Sequence, residues 1–127
     1  MAKILVIEDG LALRSIIATC LRKRGHTVVE ARTGREGLKC HERDSDALHL
    51  VVCDLMMPEL GGMEAIRTLT ARDPNLPILA MSGGAKTLAY FRSQDCSSKR
   101  AYLTKPFELA ALVEAVERLL VTSVDAG

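Results

Sequence analysis

The chain has 127 residues, 48% of them apolar and 26% charged, which is the composition of one globular domain and not of a disordered tail. With 17 basic against 16 acidic side chains the net charge is +1, which excludes the basic field of a dedicated DNA-binding domain. No span approaches the roughly 18 apolar residues that a bilayer crossing needs, so a cytoplasmic protein with neither nucleic acid nor membrane as partner is expected.

Ile4-Leu5-Val6-Ile7 is a run of branched apolar residues ending at Glu8-Asp9, the pattern of a buried parallel strand with an acidic rim. Leu13, Ile16, Ile17, Cys20 and Leu21 then recur at helical period up to Gly25, which predicts a helix with a glycine stop. Thr27 to Ala31 reads as a second strand, and Thr33 can cap a weaker helix running to about Arg43. Leu48 to Cys53 is a third apolar run. It ends at Asp54 and is followed by Met57-Pro58, the pair Gly61-Gly62 and a helix through Ile66 and Leu69. Pro77 to Met81 predicts a fourth strand that stops at Ser82-Gly83-Gly84. The helix from about Lys86 to Gln94 carries only Leu88 and Phe91 as strong anchors and is expected to be the least firmly docked. Ala101 to Thr104 is a short fifth strand before Lys105-Pro106, and the last helix bears a stripe of Leu109, Leu112, Val113, Val116 and Leu120.

Cys20, Cys40, Cys53 and Cys96 are scattered with no zinc-type spacing and read as reduced thiols. His26, His41 and His49 form no cluster and read as surface or half-buried residues. Five strands alternating with five helices imply a parallel sheet covered on both faces, because each parallel pair needs a right-handed crossover. Ligands of such sheets sit beyond the carboxyl ends of the strands.

Those ends carry Glu8 and Asp9 after the first strand, Asp54 after the third, Ser82 after the fourth and Lys105 after the fifth. Each alone could be an ordinary loop residue. Together they supply carboxylates, a hydroxyl donor and an ammonium, a set suited to phosphoryl chemistry on an aspartate. Three packed carboxylates repel one another unless a cation neutralises them, and oxygen ligands without His or Cys select magnesium or calcium; so few protein ligands suit magnesium, which keeps its waters.

Ile7-Glu8-Asp9, Asp54-Leu55-Met56-Met57-Pro58 with Gly62, Ser82-Gly83, and Tyr102-Leu103-Thr104-Lys105-Pro106-Phe107 resemble the receiver domain of two-component response regulators, in order and over essentially the whole chain. The likeness is to the stand-alone, chemotaxis-regulator type. It implies a flavodoxin-like (βα)5 three-layer sandwich with a five-stranded parallel sheet of order 2-1-3-4-5. It also implies a phosphorylation-activated switch. By the resemblance Asp54 is the phosphoacceptor, served by a sensor histidine kinase or phosphotransfer protein. Glu8, Asp9, Asp54 and the backbone carbonyl of Met56 hold Mg2+, Ser82 and Lys105 contact the phosphoryl oxygens, and Tyr102 is the switch aromatic. Lys105-Pro106 is expected to be a cis peptide. The chain departs from the pattern at Gly61, where the family often has an acidic residue that could cap the third helix, and at Ser97-Ser98-Lys99-Arg100, where a Gly-Ala turn is common.

A single receiver domain over 1–127 with no output domain is expected, acting on an unknown target through the face of helix 4, strand 5 and helix 5. An aspartyl phosphohydrolase or phosphotransferase is the main alternative, but such enzymes usually place a second acidic residue two positions past the nucleophile, and Met56 stands there. A flavin module of the same sheet order lacks its phosphate cradle and its aromatics here, which are 3% of the chain. A receiver-like domain that signals by binding alone would not need the complete acidic, hydroxyl and lysine set.

Overall fold

The computed structural model describes residues 1–57, 61–93 and 99–126, with side chains through residue 121. Pro58, Gln94, Cys96, Ser97 and Ser98 lie outside the described residues. In chain order the elements are β1 (Lys3–Ile7), α1 (Leu11–Lys23), β2 (Thr27–Ala31), α2 (Gly34–Asp44), β3 (Leu50–Asp54), α3 (Gly62–Arg72), β4 (Ile78–Ser82), α4 (Ala85–Ser93), β5 (Arg100–Thr104) and α5 (Leu109–Ala126). The strands form one parallel sheet in the order β2-β1-β3-β4-β5, as the resemblance implied.

The apolar strands are central because both of their faces are covered: every residue of β3 and β4 is buried. One face packs Ile4, Val6, Val52 and Met81 against Ile17 and Leu21 of α1 and Leu112 and Val116 of α5. The other packs Leu5, Ile7, Val51 and Ile78 against Cys40 of α2, Ile66 and Leu69 of α3, and Leu88 and Phe91 of α4. Each fully buried Leu or Ile contributes about 1.5–3 kcal/mol of transfer free energy. α1 stops where Gly25 takes φ +94, a left-handed conformation that glycine adopts without Cβ strain. Thr33 caps α2 by accepting the Glu36 amide at 3.1 Å, as its sequence position predicts.

Three expectations need correction. The buried face of α1 is Arg14, Ile17, Ala18 and Leu21, so the stripe is rotated from the predicted one and Ile16 is exposed. In α5, Leu112, Ala115, Val116 and Leu119 are buried, whereas Leu109 in the first turn is exposed on the rim of a groove. His41 is buried and not a surface or half-buried residue, because it lies where α2 meets the end of α3, its Nε2 3.9 Å from Asp73 Oδ2. Cys20, Cys40 and Cys53 are free thiols.

Candidate functional site

Strand register builds the site. Ile7 pairs with Cys53, so Glu8 and Asp54 leave the sheet side by side at the ends of β1 and β3. Asp54 pairs with Met81 and Ser82 with Thr104, which brings Ser82 and Lys105 to the same rim. Four separate strand ends thus deliver their polar residues to one place, although Lys105 and Glu8 are 97 positions apart in the chain.

The Lys105 ammonium donates to Glu8 Oε1 at 2.8 Å and to Asp54 Oδ2 at 2.9 Å. Burial works against this ammonium, but the hydrogen bonds to the two carboxylates outweigh it and hold the lysine pKa above its ordinary value. Burial pushes the Glu8 carboxyl above the usual carboxylate range, and the Asp54 charge adds to this against the bonds from Lys105 and the Gly10 amide. That amide donates to Glu8 Oε2 at 2.8 Å, just before α1, where the helix N-terminus favours negative charge. Beside them Cys53 is fully buried, and desolvation with the Asp54 and Glu8 charges drives its thiol far up, so it stays neutral.

Asp54 is itself buried, and its Oδ1 accepts the Met56 amide at 3.0 Å. The Met56 side chain is exposed, with its sulfur 3.8 Å from Thr87 Oγ1. Ser82 is fully buried, and its Oγ accepts the Gly84 amide at 3.0 Å. A Cβ on Gly62 would fall 1.8 Å from the Asp54 carbonyl oxygen, so only glycine lets α3 start against the end of β3. Gly61, at the N-cap of that helix, makes no side-chain cap bond. Tyr102 lies on β5, in register with Ala80 of β4. Phe91 meets its ring edge-on at 5.8 Å between centroids, and the Arg92 guanidinium lies 4.7 Å from the ring centre. The Lys105-Pro106 peptide is cis. Next to Lys105 an apolar groove of about 530 Å³ runs between α1 and the start of α5, lined by Leu13, Ile16, Pro106, Phe107 and Leu109.

The sequence reading missed Arg14. This buried arginine donates from Nη1 to the Glu8 carbonyl at 3.0 Å and from Nε to Glu30 Oε1 at 3.2 Å. The signal was there: Arg14 is in phase with Ile17, Ala18 and Leu21 at i+3, i+4 and i+7.

Glu8, Asp9 and Asp54 each offer a carboxylate oxygen within 4.8 Å of the other two, with Asp9 exposed and its two partners buried. One ammonium against three carboxylates leaves the cluster negative, and Glu8 is already displaced toward its neutral form. The donor set therefore fits a hard divalent cation bound through oxygen.

A family model described as the response regulator receiver domain matches residues 4–117. The chain is 34% identical to the sensor kinase CckA of Brucella abortus over 94% of its own length but only 12% of that protein's. It is 32% identical to the response regulator receiver protein CpdR of the same organism, covering 97% of this chain and all of CpdR. A solved response regulator receiver domain protein from Clostridium thermocellum superposes over the full length of both chains with a TM-score of 0.90 at 24% identity, a likeness of fold.

Proposed function

The chain belongs to the response regulator receiver domain family, whose members are phosphorylation-activated switches of two-component signalling, and we propose that Asp54 is the phosphoacceptor of this one. The observation that carries the reading is the Lys105 ammonium bridging Glu8 and Asp54 at 2.8 and 2.9 Å, with Asp9 completing the acidic cluster.

In the proposed reaction an Asp54 carboxylate oxygen attacks the phosphorus of a phosphohistidine on a sensor histidine kinase or phosphotransfer protein. The O–P bond forms as the N–P bond breaks, and the departing imidazole keeps that electron pair and takes up a proton from solvent. Glu8, Asp9, Asp54 and the Met56 backbone carbonyl would hold Mg2+, which when bound supplies positive charge against the phosphoryl oxygens. Lys105, already at Asp54 Oδ2, would pair with one of those oxygens, and the Ser82 hydroxyl would donate to another. Attack by water on the same phosphorus returns the carboxylate and releases inorganic phosphate. The protein would promote its own phosphorylation and dephosphorylation and turn over no external substrate. The apolar groove adjoining Lys105 supports a protein as the donor.

Output would pass through the face of α4, β5 and α5 to a target protein, with Tyr102 between the site and that face. Nucleic acid and membrane are not partners in this reading, and its setting is the cytoplasm. No described helix is long and apolar enough to cross a membrane.

Intact-mass spectrometry after incubation with acetyl phosphate tests the assignment. A single phosphate adduct that needs Mg2+ and disappears in Asp54→Asn is expected; an adduct that survives Asp54→Asn overturns it.

A further inference from the structure

We propose that Arg14 is a positioning residue whose guanidinium fixes the Glu8 end of the Glu8-Asp9-Gly10 turn and so aims the Asp9 carboxylate into the cation site. The inference rests on the reading that Glu8, Asp9 and Asp54 hold a divalent cation. The guanidinium Nη1 donates to the Glu8 carbonyl at 3.0 Å, while the Gly10 carbonyl at the other end of the turn accepts the Arg14 backbone amide at 2.9 Å, the ordinary first bond of α1 that any side chain at this position would leave in place. The guanidinium is fixed in turn by Glu30 on β2, which accepts from Arg14 Nε at 3.2 Å and from Arg22 Nη2 at 3.3 Å. Arg22 also donates to the Val28 carbonyl at 3.1 Å, which ties the network to the edge strand.

Asp9 follows the carbonyl that the guanidinium holds and is exposed, and among the described residues nothing hydrogen-bonds to its carboxylate. Its direction is therefore set by the backbone that Arg14 clamps. Glu8 is held independently, by Lys105 and the Gly10 amide on its carboxylate and by the Ala31 carbonyl on its backbone N–H. Loss of the clamp should fall on Asp9, and so on cation affinity, more than on the sheet. Residues that orient metal ligands from behind commonly change metal affinity by roughly 10–100-fold.

Isothermal titration of Mg2+ into the wild type, Arg14→Met, Arg14→Lys, Glu30→Gln, Arg24→Ala and Asp9→Asn tests this, at a temperature where circular dichroism shows each variant folded. Arg14→Met should lose about 10-fold in affinity, with a shifted Gly10 amide resonance in the metal-free protein. Arg14→Lys, which keeps a cation and one donor, should recover part of the loss, and Glu30→Gln should show a smaller loss in the same direction. Arg24, at the C-terminal end of α1 and away from the turn, pairs with Glu117 of α5, so Arg24→Ala should bind as the wild type does. Should Arg14→Met not fold, Arg14→Lys and Glu30→Gln carry the comparison, and wild-type affinity in both overturns the inference. If Asp9→Asn loses the metal while the folded Arg14 variants bind normally, the positioning role is wrong and the cation site stands. If Asp9→Asn binds as tightly as the wild type, the cation site itself is wrong, and the role of Arg14 falls with it.

Discussion

Lys105 Nζ lies 2.9 Å from Asp54 Oδ2, so the residue after β5 supplies the cation for the residue that ends β3, 51 positions earlier in the chain. The same ammonium serves Glu8, and both carboxylates are almost wholly buried. Each half of this arrangement makes the other tolerable: the carboxylates hold the ammonium in a partly desolvated place, and the ammonium limits their repulsion.

Lys105→Ala should therefore destabilise the metal-free protein by about 1–3 kcal/mol, the cost of leaving buried charged acceptors unpaired. The folded lysine pKa is raised, so its contribution is complete below the ordinary lysine value of 10.5 and is lost as pH rises through the higher folded value. At pH 7.5 the whole effect is visible. Urea unfolding without metal should show it, and added Mg2+ should restore part of the loss; an unchanged midpoint would count against the buried bridge.

Gly62 and Gly61 should respond unequally to alanine. At Gly62 the new Cβ meets the Asp54 backbone oxygen at 1.8 Å, so β3 or α3 must move, at a cost of about 3 kcal/mol or more. At Gly61 nothing lies within 4 Å and φ −64 suits any residue, so the change should cost under about 1 kcal/mol, the difference between glycine and alanine at an N-cap. Thermal melts of the two variants decide; equal losses would mean that α3 does not start against Asp54 as described.

The N-terminal strand should loosen in acid. His26 Nδ1 accepts the Ala2 amide at 3.2 Å, and burial, followed by the positive N-terminus and Arg24, lowers the histidine pKa against the pull of Glu117. A depressed pKa contributes stability above the unfolded value of 6.5 that is lost as pH falls through the folded value. The ring is partly exposed and screened, so the loss should be under about 1 kcal/mol. Denaturant midpoints at pH 7.5 and 5.0 should differ more for the wild type than for His26→Asn, whose amide oxygen accepts the same bond without titrating. Identical differences would remove His26 from the account.

Phosphoryl lifetime should depend on Met56. Its exposed side chain stands two positions beyond Asp54 and has no polar group to orient an attacking water. Met56→Asn should shorten the life of the phosphorylated form, read as the decay of the phosphate adduct by mass. Equal decay rates would show that this side chain does not control the water.

Much of this architecture is legible in the sequence because two simple periodicities fix it. Runs such as Ile4 to Ile7 and Leu50 to Cys53 are apolar on both faces, which only central parallel strands require, and parallel strands bring Glu8, Asp54, Ser82 and Lys105 to one rim. What escaped depends on rotation about helix axes. On α1, Leu13 and Ile16 drew the apolar stripe one position from its true centre, and the buried stripe includes an arginine whose long stem is compatible with burial. His41 escaped for a similar reason, since nothing local marks the face of α2 that meets α3.

The central claim is that a phosphoryl group on Asp54 is read at the far side of β4 and β5. Phosphate adds about −1.5 to −2 charge, which should draw the Ser82 hydroxyl and the Lys105 ammonium toward it. Tyr102 is held by Phe91 and Arg92 on α4, a helix whose buried residues are only Leu88 and Phe91, so its repositioning should reshape that face at small cost. Partner binding should then strengthen by roughly the 5- to 150-fold typical of allosteric coupling. Solution NMR with and without beryllofluoride, a phosphoryl mimic, measures this directly. The account predicts resonance changes running from Asp54 and Ser82 through Tyr102 into α4; changes confined to the loops around Asp9, Asp54 and Lys105 would contradict it.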